Sequence, residues 1–249
     1  MDKIKNILLP LILIPFILGC TALTKEQKII DRAIEAHGGD AYKRAQISFN
    51  FRNIYYQILK TPSRFEYSRE FTDSLGVLVK DVLNNTGFFR THNGTEIAVT
   101  GERKQAYSNS INAVAYFALL PYGLNDAAVN KTFLGETELE GKSYDIIKVT
   151  FSEDGGGEDF EDEFLYWINI ENGLMDYMAY SYHTEGGGVR FRKAINSRVI
   201  NGIRFQDYEN YMAEEKTTPV EKMEMMYKNG QLKLLSQILM ENIQVNYIK

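Results

Sequence analysis

Two charged, glycine-bearing stretches are the places in this chain where chemistry could gather. "EDGGGEDFEDEF" holds Glu153, Asp154, Glu158, Asp159, Glu161, Asp162 and Glu163. Carboxylate oxygens at that density suit a hard cation such as Ca2+, but the spacing is not that of a helix–loop–helix calcium loop, and three glycines fix no ligand geometry. A solvated hairpin tip is the simpler expectation. "HTEGGGVRFRKA" is its basic counterpart: Arg190 and Arg192 fall on one strand face, where guanidinium groups can meet a phosphate or carboxylate. The three histidines, His37, His92 and His183, lack the HExxH spacing of a zinc site. His37 closes a helical stretch, where the helix dipole favours a cation. No GxSxG elbow, GxGxxG turn or phosphate-binding loop occurs. The chain is therefore read as non-enzymatic and cofactor-free, with no metal ligands assigned.

The only cysteine, Cys20, ends "MDKIKNILLPLILIPFILGC". Lys3 and Lys5 precede a dozen apolar residues, Ile7 to Leu18, the build of a secretory signal. The run is too short for a spanning helix, which needs about 20 apolar residues, and Pro10 and Pro15 each remove a helical hydrogen bond. Ile17-Leu18-Gly19-Cys20 resembles the bacterial lipobox. That resemblance implies cleavage before Cys20 and acylation of its sulfur, with palmitate-type chains mooring the protein to a membrane; two or more such chains hold lastingly. Residues 1–19 are thus read as a lipoprotein signal peptide and 20–249 as one domain. No acidic run follows Cys20, and Thr21 is not aspartate; both point to the periplasmic side of an outer membrane. A net charge of −5 without a basic stripe excludes nucleic acid as a partner.

The folded part must position these groups. Thr24 and Gln27 stand at capping-box spacing, Ile29, Ile30, Ala33 and Ile34 make one apolar face, and Gly38-Gly39 ends the helix. From residue 47 the pattern has period two. Ile47, Phe49 and Phe51 alternate, and Ile54, Tyr56 and Ile58 resume on the other parity, which predicts a bulge between them. Further strands are predicted over 64–71, 77–83, 86–92, 95–100, 131–139, 143–151, 162–170, 174–183, 188–199, 203–212, 220–228 and 231–247. Asn93-Gly94, Asn172-Gly173, Asn201-Gly202 and Asn229-Gly230 predict hairpins. A helix over about 104–119, broken at Pro121 and Gly123, interrupts the strands. The class is mainly β: a large curled antiparallel sheet or incomplete barrel, an N-terminal helix and a helical lid.

That order resembles the LolA/LolB-like lipoprotein-carrier fold. "ALLPYGLNDAAVNKTFLGETELEGKSYDIIKVTF" and "YWINIENGLMDYMAYSYHTEGGGVRFRKAINSRVINGIRFQDYENY" further resemble a family of Bacteroidetes lipoproteins of DUF6503 type. The resemblance implies a half-barrel with an apolar lining under helices, binding acyl chains or lipidated proteins without covalent chemistry. Strand parity supplies candidates for the lining: Phe164, Tyr166, Ile168 and Ile170 on one face of a strand, Leu165 and Trp167 on the other. Trp167, Met178, Tyr180, Phe191, Phe205, Met223 and Met225 are taken as wall residues, with Phe117, Leu120, Pro121 and Tyr122 as lid. Arg190 and Arg192 are the candidate anion contacts. Two other readings stay open: an envelope scaffold with a dry core, and a hydrolase using the acidic loop or His183.

Overall fold

The protein is described by a computed structural model over residues 23–152, 161–183 and 186–248. Helix α1, Lys25–His37, starts where the Thr24 hydroxyl accepts the Gln27 N–H at 3.3 Å. It buries Ile29, Ile30 and Ala33, and stops at Gly38 with φ +140°. Alternating side chains then build strands β1 (Ala45–Phe51), β2 (Ile54–Lys60), β3 (Phe65–Thr72), β4 (Leu78–Asn84), β5 (Gly87–His92) and β6 (Thr95–Ile97). Helix α2, Gly101–Leu119, follows. A second meander runs through β7 (Val129–Leu139), β8 (Lys142–Phe151), β9 (Phe164–Asn169), β10 (Met175–Tyr182), β11 (Gly188–Ile200) and β12 (Ile203–Met212). Helix α3 (Met223–Lys228), β13 (Lys233–Ile238) and β14 (Glu241–Tyr247) complete the described chain.

The strands form two seven-stranded antiparallel sheets, ordered β14-β1-β2-β3-β4-β5-β6 and β13-β12-β11-β10-β9-β8-β7. They do not close into a barrel, so the fold is the mainly β, curled arrangement with helices that the alternation predicts. The predicted strand over 231–247 is two strands in different sheets. The chain crosses between them at Leu239-Met240, where Asp207 Oδ1 accepts the Met240 N–H at 2.9 Å and Arg198 Nη2 at 3.0 Å. Ion-paired and buried, Asp207 fastens the seam.

Three local expectations are corrected. The predicted bulge between β1 and β2 is a two-residue turn, with Arg52 and Asn53 at φ +51° and +61°, so the pairing register from Phe51 to Ile54 continues without an insertion. The predicted strand over 220–228 is a short 3-10 turn followed by α3, because Val220 and Met223 bury one edge of a helical turn. Asn229-Gly230 accordingly ends that helix and joins no hairpin. The other Asn-Gly pairs do turn hairpins, β5–β6, β9–β10 and β11–β12.

Packing makes three apolar clusters. One lies on the first sheet beneath α2, with Phe49, Tyr56, Ile58 and Ile111. The second lies on the inner face of the second sheet against α1 and the end of α2, with Phe164, Tyr166, Ile168 and Met178. The third covers the outer face of the same sheet under α3, with Trp167, Phe191, Val220 and Met223. β9 is buried along its whole length because clusters cover both its faces.

His37 departs from the cationic role that its place at a helix end favours. It is 2% exposed, its Nδ1 bonds the Ala33 carbonyl at 2.8 Å, and its Nε2 has no partner among the described residues. Burial lowers its pKa to about 4, against the opposing bond to Ala33, with Arg204 adding to the fall. Desolvation outweighs the dipole, which contributes about 0.3–1 kcal/mol at an exposed site. The folded chain therefore stays neutral at His37 while the unfolded chain takes up a proton below about pH 6.5. Stability falls as pH drops through 6.5 towards 4, by about 2 kcal/mol at pH 5. Urea midpoints of wild type and His37→Phe at pH 7.5 and pH 5 are expected to show that loss in the wild type only.

Candidate ligand-binding site

Between α2 and the inner walls of both sheets lies a cavity of about 800 Å³. The first sheet supplies Phe49 and Phe51, α2 supplies Val114, Tyr116, Phe117 and Ala118, and β8 to β10 supply Phe151, Phe164, Tyr180 and Tyr182. Arg190 and Arg192 come from β11, Gln206, Tyr208 and Asn210 from β12, and Ser236 and Ile238 from β13. Its volume falls within the roughly 300–1,000 Å³ typical of small-molecule sites.

Helix α2 is fastened at its middle and near its C-terminal end by different means. Against its middle, a buried triad of Arg69, Asp81 and Arg90 rises from β3, β4 and β5. Arg69 Nε meets Asp81 Oδ2 at 2.8 Å, and Arg90 Nε meets Oδ1 at 2.5 Å. Arg69 Nη1 also donates to Ser110 Oγ of α2 at 2.9 Å, and the Arg90 guanidinium lies 3.7 Å from the Tyr107 ring centre. Near its end, Tyr116 and Phe117 enter an aromatic group with Phe151, Phe164 and Tyr180, ring centres 5.3–6.4 Å apart. The Tyr116 and Tyr166 hydroxyls bond at 2.5 Å, and burial pushes both phenols above the usual tyrosine range. Each well-placed aromatic pair adds about 0.5–1.5 kcal/mol beyond its area.

The predicted site residues divide. Phe117, Tyr180, Arg190 and Arg192 are on the cavity wall. Leu120 and Met178 pack into the second cluster, and Phe205 into the first. Pro121 begins the turn after α2, and Tyr122 stacks on Tyr42 with centroids 4.8 Å apart. Trp167, Phe191 and Met223 belong to the third cluster, across the sheet from the cavity. Met225, on α3, is 57% exposed, so it shares no strand face with Met223, which is fully buried. Cys20 and acidic-loop residues 153–160 lie outside the described residues.

The wall also holds Gln206, Tyr208 and Asn210, which the sequence reading passed over. Their signal is the alternate spacing in "IRFQDYENYM", but the face they share is largely polar, so apolar periodicity does not single it out. His183 Nδ1 bonds Asp162 Oδ1 at 3.0 Å, joining the end of the acidic loop to β10. Its Nε2 bonds no hydroxyl among the described residues. Among those residues no three His, Cys, Asp or Glu side chains converge as a metal site, and no helix is long and apolar enough to cross a membrane.

Comparison with known proteins agrees with this architecture. A model of the DUF6503 family, a family of unknown function, matches residues 5–242. The chain belongs to the DUF6503 family. This DUF6503 protein superposes on a LolA superfamily protein from Nitrosomonas europaea with a TM-score of 0.51 at 13% identity, covering 91% of this chain and 96% of that one. The shared fold is therefore LolA-like. A DUF1329 family protein from Desulfovibrio piger gives 0.46 at 12% identity, over 89% and 93% of the two chains. A putative outer membrane lipoprotein-sorting protein domain from Vibrio parahaemolyticus gives 0.48 at 6% identity, over 88% and 91%. No curated protein sequence matches the chain.

Proposed function

We propose that this DUF6503 protein is a lipid-anchored envelope protein that holds a hydrophobic ligand, an acyl chain or a lipidated protein, in its half-barrel without reacting with it. The observation that carries this is the cavity of about 800 Å³ walled by Phe49, Phe51, Phe117, Phe151, Phe164 and Tyr180. An aromatic-walled space beneath a helix loses water readily to an apolar guest, since burial contributes about 25 cal/mol per Å² of apolar surface. The LolA-like fold supports the reading by placing α2 as a cover across two sheets. In this proposal Cys20 carries the lipid, residues 1–19 are the removed signal, residues 20–249 form one domain, and the domain faces the periplasm from an outer membrane.

Two measurements test it. The chain beginning at Thr21, purified and sprayed under native conditions, is expected to carry co-purified lipid mass and to bind a fluorescent fatty acid. Recovery of ligand-free protein that ignores the probe would refute ligand binding. Separately, cells fed labelled palmitate are expected to label the wild type and not Cys20→Ser; equal labelling of both would refute the anchor.

A further inference from the structure

Three arginines among the described residues are at least nine-tenths buried: Arg69, Arg90 and Arg192. The first two share Asp81. Arg192 has no carboxylate partner among the described residues, although it is only 8% exposed and lies on the cavity wall. Its guanidinium sits 4.2 Å from the Phe117 ring centre and 4.9 Å from that of Tyr180. Nη2 donates to the Tyr180 hydroxyl at 2.6 Å, and Nε is buried with no acceptor among the described residues. Ring faces recover part of the lost hydration of a cation, but a buried charge ordinarily has a counter-ion. Among the described residues no carboxylate supplies that counter-ion within hydrogen-bond distance, which leaves the position open to an anionic ligand.

The neighbours of Arg192 across the sheet are polar too. Strand register places Arg192 directly opposite Asn210, and Asn210 opposite Ser236. Among the described residues Asn210 Oδ1 and Gln206 Oε1 are buried without a partner, but both are acceptors, so the groups here that can donate to an anion are Asn210 Nδ2 and the Ser236 hydroxyl. A polar row thus crosses β11, β12 and β13 in the wall of a cavity whose rings come mainly from β1, α2, β8, β9 and β10.

We propose that Arg192 receives the carboxylate of an acyl-chain acid, with Asn210 and Ser236 beside the head group and the chain against the aromatic wall. The assignment deepens the ligand-binding function and rests on it. A monoanion fits better than a phosphate dianion. One deeply buried cation faces it, Arg190 is turned to the Tyr182 hydroxyl at 2.6 Å, and the acid Asp162 lines the same cavity.

The test displaces the neutral fluorophore N-phenyl-1-naphthylamine from the chain beginning at Thr21, using dodecanoate, dodecanol and dodecyl phosphate. Dodecanoate is expected to compete at a concentration about tenfold or more below that of dodecanol, the scale of a charge-assisted hydrogen bond. Arg192→Met is expected to erase that preference, bringing dodecanoate and dodecanol within about threefold of each other. Equal competition by acid and alcohol in the wild type would overturn the head-group site and leave the cavity reading intact. Tighter competition by dodecyl phosphate would overturn the choice of carboxylate. No uptake of fluorophore or alcohol would overturn both readings together. The acid-to-alcohol ratio of the wild type decides the matter even should Arg192→Met fail to fold.

Discussion

Asp81→Ala is expected to destabilise the fold by about 3–5 kcal/mol, the scale measured when one member of a buried ionic group is removed. Asp81 is fully buried and accepts from Arg69 at 2.8 Å and from Arg90 at 2.5 and 2.7 Å. Alanine leaves two guanidinium groups, both largely buried, facing each other without a counter-charge. The damage should extend to α2, since Arg69 holds Ser110 and Arg90 lies against Tyr107. Urea denaturation followed by circular dichroism measures the loss, and hydrogen exchange should show the middle of α2, around Tyr107 and Ser110, opening before the sheets. Replacing all three charges with apolar residues, Arg69→Met, Asp81→Leu and Arg90→Met together, is expected to recover most of the stability, because then no charge is buried alone. A triple variant as weak as Asp81→Ala would show that the triad acts through something other than charge.

Ala113→Trp with Val114→Trp is expected to reduce uptake of a 16-carbon fluorescent fatty acid by about tenfold or more, equivalent to about 1.4 kcal/mol per decade. Both positions line the cavity on α2, where added indole rings take up space that a chain would occupy. Ala113 is exposed and Val114 half-buried, so the cost in stability should stay near the 1–3 kcal/mol of moderate overpacking, by rough analogy with filled cores. The native Trp167 is 1% exposed on the opposite face of the second sheet, with its N–H on Glu224 at 2.9 Å. Its emission is therefore a quiet background, and a ligand-dependent change in the variant would come from the new rings. Undiminished uptake would place the ligand somewhere other than this cavity.

How much of this was legible in the sequence differs by kind of feature. Caps and turns are local, and they read well: Thr24 caps α1, Gly38 ends it, and three of the four Asn-Gly pairs turn hairpins. Faces read well too. Phe164, Tyr166 and Ile168 were separated from Leu165 and Trp167 by parity, and the two sets do belong to different clusters. Parity also held more than was drawn from it. Arg190 and Arg192 share a face that Phe191 cannot share, so placing all three at one cavity contradicted the strand's own geometry.

What parity cannot state is which face meets the cavity, because β9, β10 and β11 are covered on both sides and both faces carry large rings. That choice depends on where α2 and α3 pack, contacts made by residues dozens of positions apart. The same holds for 220–228, whose alternating methionines fit a strand until tertiary burial of Val220 and Met223 selects a helix. The sequence alone determined the β class, the helical interruption, the paired arginine face and the candidate anchor at Cys20. Only the tertiary structure decided that Arg192 would lose its water without gaining an acid among the described residues, since burial and pairing are set by strands that the chain brings together from afar.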